Sequence, residues 1–485
     1  MLRVHQRYKN LLDSVTLYLR LISFFILINL EIEINMAIIV PFKGLTYNLR
    51  MMKNLSNLVA PPYDVISEDE QKTYHKADPH NVIRLILGMK KTGDTDWDNT
   101  YTRAADYFKR WVYEGNLVQA KEPSMYVTSH TYDPGNGQPR RTRWGVIALI
   151  RIEDEESAVI LPHERTFSRH KDDRLRLMRA CEAQFSQIFG LYEDADNVIF
   201  GDIKKSIDAP PQTAFDFEDG SEHRMWVLQD KNLFKKMADF LSEKSIFIAD
   251  GHHRYETARN FRNIMRARYG RRPLNRSYEY VMTYLSNMND EGLTILPSHR
   301  LIKSVPDFQI EPFLERVKAW FTIASFSSSP NVADECGLMK DRLEDAGRSN
   351  SAIGFYLHKD NRCYLLSLKQ GAWDEMGEDL HHSLKKLDVL ALSRFILQKS
   401  LGFTRDELDN EEIFYYQSNM EKAVSQVYSG DFQMTFLLNP TKIDHVKEIA
   451  SNSLVMPRKS TFFYPKLLTG LVFNKIDHHE ILEMP

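Results

Sequence analysis

The sharpest chemical signal in the sequence is a set of polar residues that follows one short apolar run. Residues 246–249 are typical of a buried strand, and Asp250-Gly251-His252-His253-Arg254 comes directly after them. Glycine lets the backbone approach a ligand, and the free amides of a helix start favour an anion. Imidazole and guanidinium groups add donors suited to phosphate oxygens. The pattern predicts a phosphate site at a helix that begins near His252.

Two other interpretations of this segment stay open. Asp250 could simply cap the helix while one histidine packs in the core. Alternatively, His252 and His253 could bind a transition metal together with Asp250 and His299, as in a metal-dependent hydrolase. Zinc motifs normally space helical histidines by three or four residues, so adjacent histidines fit that pattern poorly. The sequence identifies no particular metal.

A second polar cluster, Pro162-His163-Glu164-Arg165-Thr166, leaves another apolar run. A carboxylate beside a histidine and an arginine at a strand end is suited to take a proton from a hydroxyl group. An ordinary ion pair at the end of a strand would fit the same spacing. The HExxH motif of zinc proteases is excluded because position 167 is phenylalanine.

Two weaker groups could add to either site, or could be simple capped turns. Ser298-His299-Arg300 repeats the histidine–arginine pair, and Lys459-Ser460-Thr461 offers an ammonium and two hydroxyls without the frame of a Walker loop. A Rossmann glycine fingerprint, a GxSxG elbow and a kinase HRD motif are all missing from the sequence. Several common enzyme classes are therefore excluded.

An arginine-rich stretch follows the first cluster and could bind nucleic acid. Its apolar residues recur every three or four positions, which is typical of an amphipathic helix. We therefore expect most of the arginines to lie on the solvated face of that helix, and we expect no nucleic-acid partner. The eight arginines are Arg254, Arg259, Arg262, Arg266, Arg268, Arg271, Arg272 and Arg276.

The elements that must position these groups form a mixed α/β (α+β) pattern, in which short β-branched runs alternate with helical ones. Ser67 and Glu70 predict a capped helix start. A serine-rich loop signal after residue 307 suggests a core at 36–306 and a C-terminal α/β region at 307–485. The predicted strands are 37–42, 81–88, 125–131, 144–152, 245–249, 353–357, 363–368 and 434–438, and the predicted helices include 101–113 and 387–400.

Composition narrows the class of protein further. The chain has 485 residues, and its 63 Lys and Arg against 66 Asp and Glu give a net charge of −3, so charge alone would not hold nucleic acid. Three cysteines without a CxxC pattern indicate a reducing cytoplasm. Residues 21–30 look like the core of a signal peptide but are too short to span a membrane. We interpret residues 1–35 as an N-terminal extension outside the fold.

From Met36 onward the sequence resembles the bacterial and archaeal DUF1015 family, a domain of unknown function. Six blocks in order carry the resemblance. They are 41–44 (PFKG), 57–66 (NLVAPPYDVI), 81–85 (NVIRL), 162–166 (PHERT), 248–258 (IADGHHRYETA) and 456–461 (MPRKST). The PHE and DGHHR blocks are also similar to the ParB/sulfiredoxin superfamily, which includes kinases of free L-serine. The resemblance implies a ParB/sulfiredoxin-like nucleotide-binding core with large insertions.

This resemblance also implies roles for individual residues. Glu164 would be the catalytic base, with His252 as a second catalytic residue, and Gly251, His252, His253 and Arg254 would hold the phosphates of ATP or ADP. Asp250 would orient those phosphates or a Mg²⁺ ion. The candidates for the substrate pocket are Asp64, His163, Arg165, His299, Arg300, Lys459, Ser460 and Thr461. The implied activity is phosphorylation of a small hydroxyl compound, with a nucleotide-dependent switch without turnover as the alternative. A membrane partner is not expected, and the oligomeric state is not predicted.

Overall fold

Two large β-sheets organise the chain in the computed structural model, which describes residues 36–485 except 136, 165–167, 208, 330, 361 and 411. The interpretation of residues 1–35 and the role expected of Arg165 lie outside the described residues. The fold is mixed α/β, as the sequence predicts.

The elements have the following bounds. The strands are β1 Ile39–Val40, β2 Leu45–Tyr47, β3 Leu117–Gln119, β4 Met125–Tyr132, β5 Arg141–Arg151, β6 Ile160–Leu161, β7 Ala183–Gln184, β8 Ile188–Tyr192, β9 Thr213–Asp216, β10 Glu222–Leu228, β11 Ile246–Asp250, β12 Tyr280–Asn287, β13 Thr294–Leu296, β14 His299–Ile302, β15 Phe321–Ser327, β16 Ala352–Leu357, β17 Arg362–Leu368, β18 Phe414–Gln417, β19 Met434–Leu438, β20 Phe462–Tyr464 and β21 Asn474–Lys475. The longer helices are Glu68–Ala77, Thr100–Tyr113, Ser168–Cys181, Val198–Ser206, Lys231–Ser242, His252–Tyr269, Ile310–Val317, Val332–Gly347, Leu392–Ser400, Met420–Tyr428 and Ile443–Ser451, and the short ones include Ile83–Ile86, His382–Lys385 and Asp388–Ala391.

The first sheet has nine strands in the order β6-β11-β8-β12-β5-β4-β10-β9, with β1 also paired to β5. The long strand β5 pairs with β4 through its first half and with β1 near its end, so one edge of β5 serves two partners. The pairs β6–β11 and β8–β12 are parallel, whereas the other pairs in this sheet are antiparallel. The carboxyl ends of β6 and β11 therefore lie side by side, and each is followed by one of the two polar clusters.

The second sheet is antiparallel throughout, in the order β15-β17-β16-β19-β14-β18. Its strand β14, His299–Ile302, precedes residue 307, so this sheet draws one strand from the N-terminal side of the boundary suggested by the sequence. The predicted strands at 353–357, 363–368 and 434–438 are all present here. The division at 307 stays a prediction.

The last part of the chain returns to the first half of the molecule. Strand β20 pairs with β13, and β21 pairs with β7. Leu45 and Ala60 form isolated bridges with Phe473 and Thr469. Residues 456–475 therefore lie against elements that precede them by more than 400 positions, and they run past both polar clusters.

Some elements differ from their sequence-based predictions. The β-branched run at 81–88 is wrong as a strand, because it folds as a helical turn at Ile83–Ile86. The buried Asn81 accepts a hydrogen bond from the Ile83 N–H at 2.8 Å and donates to the carbonyls of Asn57 and Val59. Those side-chain bonds start a turn, which a strand could not accommodate. The capped helix start at Ser67 and Glu70 is confirmed, with both reciprocal hydrogen bonds present.

The arginine-rich helix His252–Tyr269 is also less exposed than expected. Arg262 is 2% exposed and binds Asp154 at 2.5 Å, and Arg266 binds the fully buried Glu279. Arg259 lies 3.6 Å from Glu155. The expectation of a mainly solvated arginine face is therefore wrong, because these guanidinium groups anchor the helix to neighbouring loops through carboxylates.

In the described part of the chain, no helix combines the length and the apolar character needed to cross a bilayer.

Gly145 provides a test of the packing in the middle of the first sheet. A Cβ atom built there would lie 2.0 Å from Cζ of the buried Tyr284 on β12. Overpacking of this kind costs about 1–3 kcal/mol, so we expect Gly145→Ala to lower the free energy of unfolding by that amount in urea denaturation. Gly201→Ala is the matched control, because no atom lies within 4 Å of its Cβ position. Equal stability of the two variants would contradict this packing.

Candidate functional site

Strand β11 ends at Asp250, and Gly251 turns the chain directly into the helix His252–Tyr269. Gly251 has φ +92°, a left-handed conformation that glycine adopts without strain. The N-cap residue Gly251 has no side chain that could accept a hydrogen bond from the first amides of the helix. The Arg254 guanidinium passes 3.0 Å from the position where a Cβ of residue 251 would lie. A glycine is therefore required here both by the turn and by the close approach of Arg254.

The Asp250 carboxylate lies between two cations. One oxygen accepts from Arg254 and the other from Lys466, and the second arm of the Arg254 guanidinium donates to the Gln187 carbonyl. Burial alone would raise the pKa of Asp250, but Lys466 and Arg254 outweigh it and hold that pKa well below its usual value. Asp250 is therefore ionised, and it fixes both cations beside the helix start.

His163 and His252 form a buried pair at the centre of the site. Their rings meet edge to face with centroids 4.6 Å apart, and His252 Nε2 accepts the His163 backbone N–H at 3.3 Å. Burial lowers the pKa of each imidazole to about 3. Both rings are therefore neutral at pH 7. The positive charge of the site therefore comes from arginine and lysine, and not from these two imidazoles.

Glu164 is joined to the segment 456–461 by backbone hydrogen bonds. The Met456 N–H donates to the His163 carbonyl at 2.8 Å, and the Lys459 N–H donates to Glu164 Oε1 at 3.2 Å. Thr461 Oγ1 lies 3.3 Å from His163 Nε2. The PHE, DGHHR and MPRKST blocks therefore converge in space, although nearly 300 residues separate the first from the last.

Lys459 has φ +54°, which is uncommon for a residue with a side chain. The buried Arg300 donates to the carbonyls of Arg458 and Lys459 at 3.1 and 2.9 Å, while Glu164 accepts the N–H of Lys459. These bonds hold a conformation that costs energy, and such strain clusters at functional sites. Burial lowers the pKa of Arg300, and Tyr416 and Glu164 oppose that shift, so Arg300 lies within electrostatic range of Glu164.

Other residues from the sequence analysis take different positions. Asp64 is exposed in a single 3-10 turn, Tyr63–Val65. His299 is fully buried in the second sheet, where its Nδ1 accepts the Leu438 N–H. Ser460 is 7% exposed, and its hydroxyl donates to the Pro457 carbonyl at 2.5 Å. This hydrogen bond helps to fix the shape of the segment 456–461.

Three functional candidates were not singled out in the sequence analysis: Lys466, Arg174 and Tyr63, although Tyr63 lies in the block 57–66. Tyr63 and Arg174 line a cavity of about 50 Å³ together with Arg254 and Thr257, and the Thr257 hydroxyl has no hydrogen-bond partner among the described residues. The Arg174 guanidinium lies 4.1 Å from the centre of the Tyr63 ring. Burial raises the pKa of Tyr63 to about 12, so it is a neutral hydrogen-bond donor. Sequence could have suggested Tyr63 only through its place beside Pro61 and Pro62.

The metal-dependent alternative lacks its donor set. In the part of the chain that the structure describes, no three His, Cys, Asp or Glu side chains are grouped so as to hold an ion. Asp250 also fits poorly as a Mg²⁺ ligand, because both of its oxygens already bind cations. A Mg²⁺ ion that arrived with a nucleotide would therefore depend mainly on phosphate oxygens, as is common for this ion.

The buried neutral histidines make stability depend on pH. An unfolded histidine takes up a proton below about pH 6.5, whereas folded His163 stays neutral to about pH 3, so stability is lost as the pH falls between these values. The slope is about 1.4 kcal/mol per pH unit for each such histidine. We expect His163→Gln to reduce the slope by that amount between pH 6 and pH 4 in urea denaturation. Substitution of the exposed His479 by Gln is the control, and an equal slope in both variants would contradict the buried neutral pair.

Comparison with solved structures finds partial similarity to several proteins. A free serine kinase in complex with AMP is 12% identical, covers 69% of this chain and 93% of its own, and has a TM-score of 0.35. A variant of free serine kinase in complex with ADP is 11% identical, with 72% and 99% coverage and a TM-score of 0.36. SbnI from Staphylococcus aureus, with a C-terminal truncation, is 9% identical, with 67% and 85% coverage and a TM-score of 0.30. Such low scores say nothing about the activity of this chain.

Comparison with known sequences gives a different result. No curated protein matches the chain. A family model does match, over residues 39–390, which is more than half of the chain and includes five of the six blocks described above. The chain therefore belongs to the family described as Protein of unknown function (DUF1015).

Proposed function

We propose that this protein is a nucleotide-dependent phosphotransferase that acts on a small hydroxyl compound, with free L-serine as the favoured acceptor. The observation that carries the proposal is the contact of His163, the neighbour of Glu164, with His252, the first residue of the helix. Glu164 and the helix start are both held by the segment 456–466, through Lys459 and Lys466 respectively. A carboxylate and an anion-binding helix start thus share one site.

The helix start has the properties that a polyphosphate requires. The backbone amides of its first turn and the positive end of the helix dipole favour an anion. Arg254, Lys466 and Arg300 place three cations around the site, against the two carboxylates of Asp250 and Glu164. A net positive charge and backbone donors together would bind the phosphates of ATP or ADP and stabilise the charge that develops during transfer. His253 stays a candidate for the same role.

The reaction needs a base at the acceptor hydroxyl and little other covalent chemistry. The hydroxyl oxygen attacks the terminal phosphorus of the nucleotide, its proton passes to the Glu164 carboxylate, and the bond to the bridging phosphate oxygen breaks. The leaving ADP or AMP carries away the electron pair, and Arg254 and Lys466 neutralise its charge. Mg²⁺ bound with the nucleotide would further neutralise the phosphate oxygens. The neutral His163 and His252 hold Glu164 and the helix start at a fixed distance from each other.

The acceptor is placed by the residues that surround Glu164. Arg300, Lys459 and Thr461 supply cationic and hydroxyl groups there, and these are suited to the carboxylate of an amino acid. The preference for L-serine comes from the resemblance of the PHE and DGHHR blocks to free serine kinases. Asp64 and Arg165 stay candidates for the acceptor pocket through the same resemblance.

Glu164→Gln tests the assignment of the base. We expect it to lower kcat/KM for serine phosphorylation by roughly 10²–10⁴-fold, the usual contribution of a general base, while nucleotide affinity stays within about twofold. The measurement is phosphoserine formation from ATP or ADP with Mg²⁺, paired with calorimetric nucleotide titration. Glu156→Gln is the control, since Glu156 is exposed in a turn.

Wild-type protein that binds nucleotide but phosphorylates no hydroxyl compound would favour a switch without turnover instead. Equal loss of binding and turnover in Glu164→Gln would remove its role as base.

Lys466→Met tests the anion site. We expect it to weaken nucleotide binding about tenfold or more, because a charge-assisted bond near a phosphate is lost and Asp250 is left with one cation. Calorimetric titration at two salt concentrations should show a shallower dependence on salt for the variant. Lys475→Met, at an exposed lysine on β21, is the matched control. Unchanged affinity in Lys466→Met would place the phosphates elsewhere.

A further inference from the structure

A second cavity lies behind the site, at one end of the six-stranded sheet. It encloses about 350 Å³ between the loop after the helix Val332–Gly347, the start of Asp388–Ala391 and the start of Ile443–Ser451. A volume of this size accommodates a small organic molecule. The phosphotransferase mechanism makes no use of it.

Two polar atoms on the inner wall of this cavity make no hydrogen bond of 3.5 Å or less within the described residues. One is the hydroxyl of Ser351, which is 3% exposed and lies close to the Asp388 carboxylate. The indole N–H of Trp373 is likewise buried and unpartnered in that part of the chain. Both residues line the cavity. Because an unsatisfied buried polar group costs roughly 1–3 kcal/mol, a ligand that bonded to these atoms would recover that energy.

The Asp388 carboxylate lies on the same wall. Asn439 donates to it at 3.3 Å. Burial raises its pKa to about 6, which leaves it mostly ionised at pH 7. Within the described residues, no cationic side chain lies within 4 Å of this carboxylate. It is therefore suited to bind an ammonium group.

The rim of the cavity is positively charged. Lys386, Lys442 and Arg348 line it together with His445, and Glu344, which also lines it, is paired with Lys340 at 3.8 Å. Burial lowers the pKa of His445, and Lys442 and Lys386 lower it further, which reports a positive potential on this side. Lys386 lies 3.4 Å from Glu448, and Arg348 lies 3.5 Å from Asp345, whereas Lys442 forms no ion pair within the described residues. The rim is therefore suited to an anionic group.

We propose that this cavity is a second ligand site, which takes a small amphoteric molecule of the amino-acid class. Its ammonium group binds Asp388, its anionic group lies between Lys386 and Lys442, and the unpartnered Ser351 and Trp373 bond to its remaining polar atoms. The anion can be the carboxylate of a free amino acid or the phosphate of an amino-acid O-phosphate. The site stands apart from the one at Gly251.

The cavity shares a wall with the first site. Ser298 and Ser460 line it, and Arg300 donates to both the carbonyl and the hydroxyl of Ser298 while holding Lys459. On the same wall, Thr441 donates to the Ser460 carbonyl at 2.7 Å. The loop that presents Lys459 to Glu164 is therefore continuous with the wall of the cavity.

The test is calorimetric titration of the full chain with L-serine and, separately, with O-phospho-L-serine. Inorganic phosphate and ethanolamine, which each carry only one of the two charges, are the reference probes. We expect saturable binding of at least one amphoteric probe, and weaker binding of both references. Asp388→Asn should weaken the amphoteric probe about tenfold or more, and Ser351→Ala roughly threefold to tenfold.

Ser351→Ala removes no hydrogen bond of 3.5 Å or less between described residues, so its stability in urea should match that of the control Ser325→Ala, at an exposed position on β15. Lys466→Met and Glu164→Gln should leave amphoteric binding in the cavity within about twofold, so a failure of the proposed function would not affect this result. The proposal is overturned if neither amphoteric probe binds, or if Asp388→Asn and Ser351→Ala bind as tightly as the wild type. It is also overturned if Lys466→Met alone abolishes binding, because the probe would then occupy the first site.

Discussion

The site depends on one buried carboxylate held between two cations. Asp250 ends strand β11, Arg254 belongs to the first turn of the following helix, and Lys466 comes from a segment 216 residues further along the chain. Removing one partner of such a cluster leaves an uncompensated buried charge, which is costly. This arrangement fixes strand, helix and returning segment at one point. The amides of the helix start are positioned as a consequence.

Neutral histidines complement this charged cluster. Two adjacent imidazolium groups would repel each other at 4.6 Å, and burial prevents either from ionising near pH 7. The His163–His252 pair can therefore hold the two loops together without adding charge beside Glu164. The imidazoles therefore set the distance between the two loops, while the guanidinium and ammonium groups set the electrostatic potential of the site.

The parts of the fold that were predictable from sequence are those fixed by local interactions. The turn at Gly251, the helix after it and the cap at Ser67 follow from neighbouring residues. The strand predicted at 81–88 is wrong because the Asn81 side chain bonds to a loop more than twenty residues away. The spacing of apolar residues carries no information about such a contact. Lys466 was missed for the same reason. A lysine has no motif of its own, and only the folded chain brings it to Asp250.

The buried arginines show a similar limit. Helical periodicity assigned Arg262 and Arg266 to a solvated face, because charged side chains are rarely buried without partners. Their partners, Asp154 and Glu279, lie on other elements and make burial possible. A single sequence contains no sign of such pairing. Motif spacing could therefore suggest the chemistry of the site, but the charge balance around it required the three-dimensional arrangement.

The return of residues 456–475 to the first sheet has a consequence for biogenesis. Contacts between positions nearly 300 residues apart form slowly, because a long loop must close before they contribute. During synthesis the first sheet is made long before Lys459 and Lys466 emerge. A nascent chain that has completed the first sheet would therefore still lack Lys459 and Lys466. Activity of the proposed kind would arise only late in synthesis, once residues 456–466 have been made.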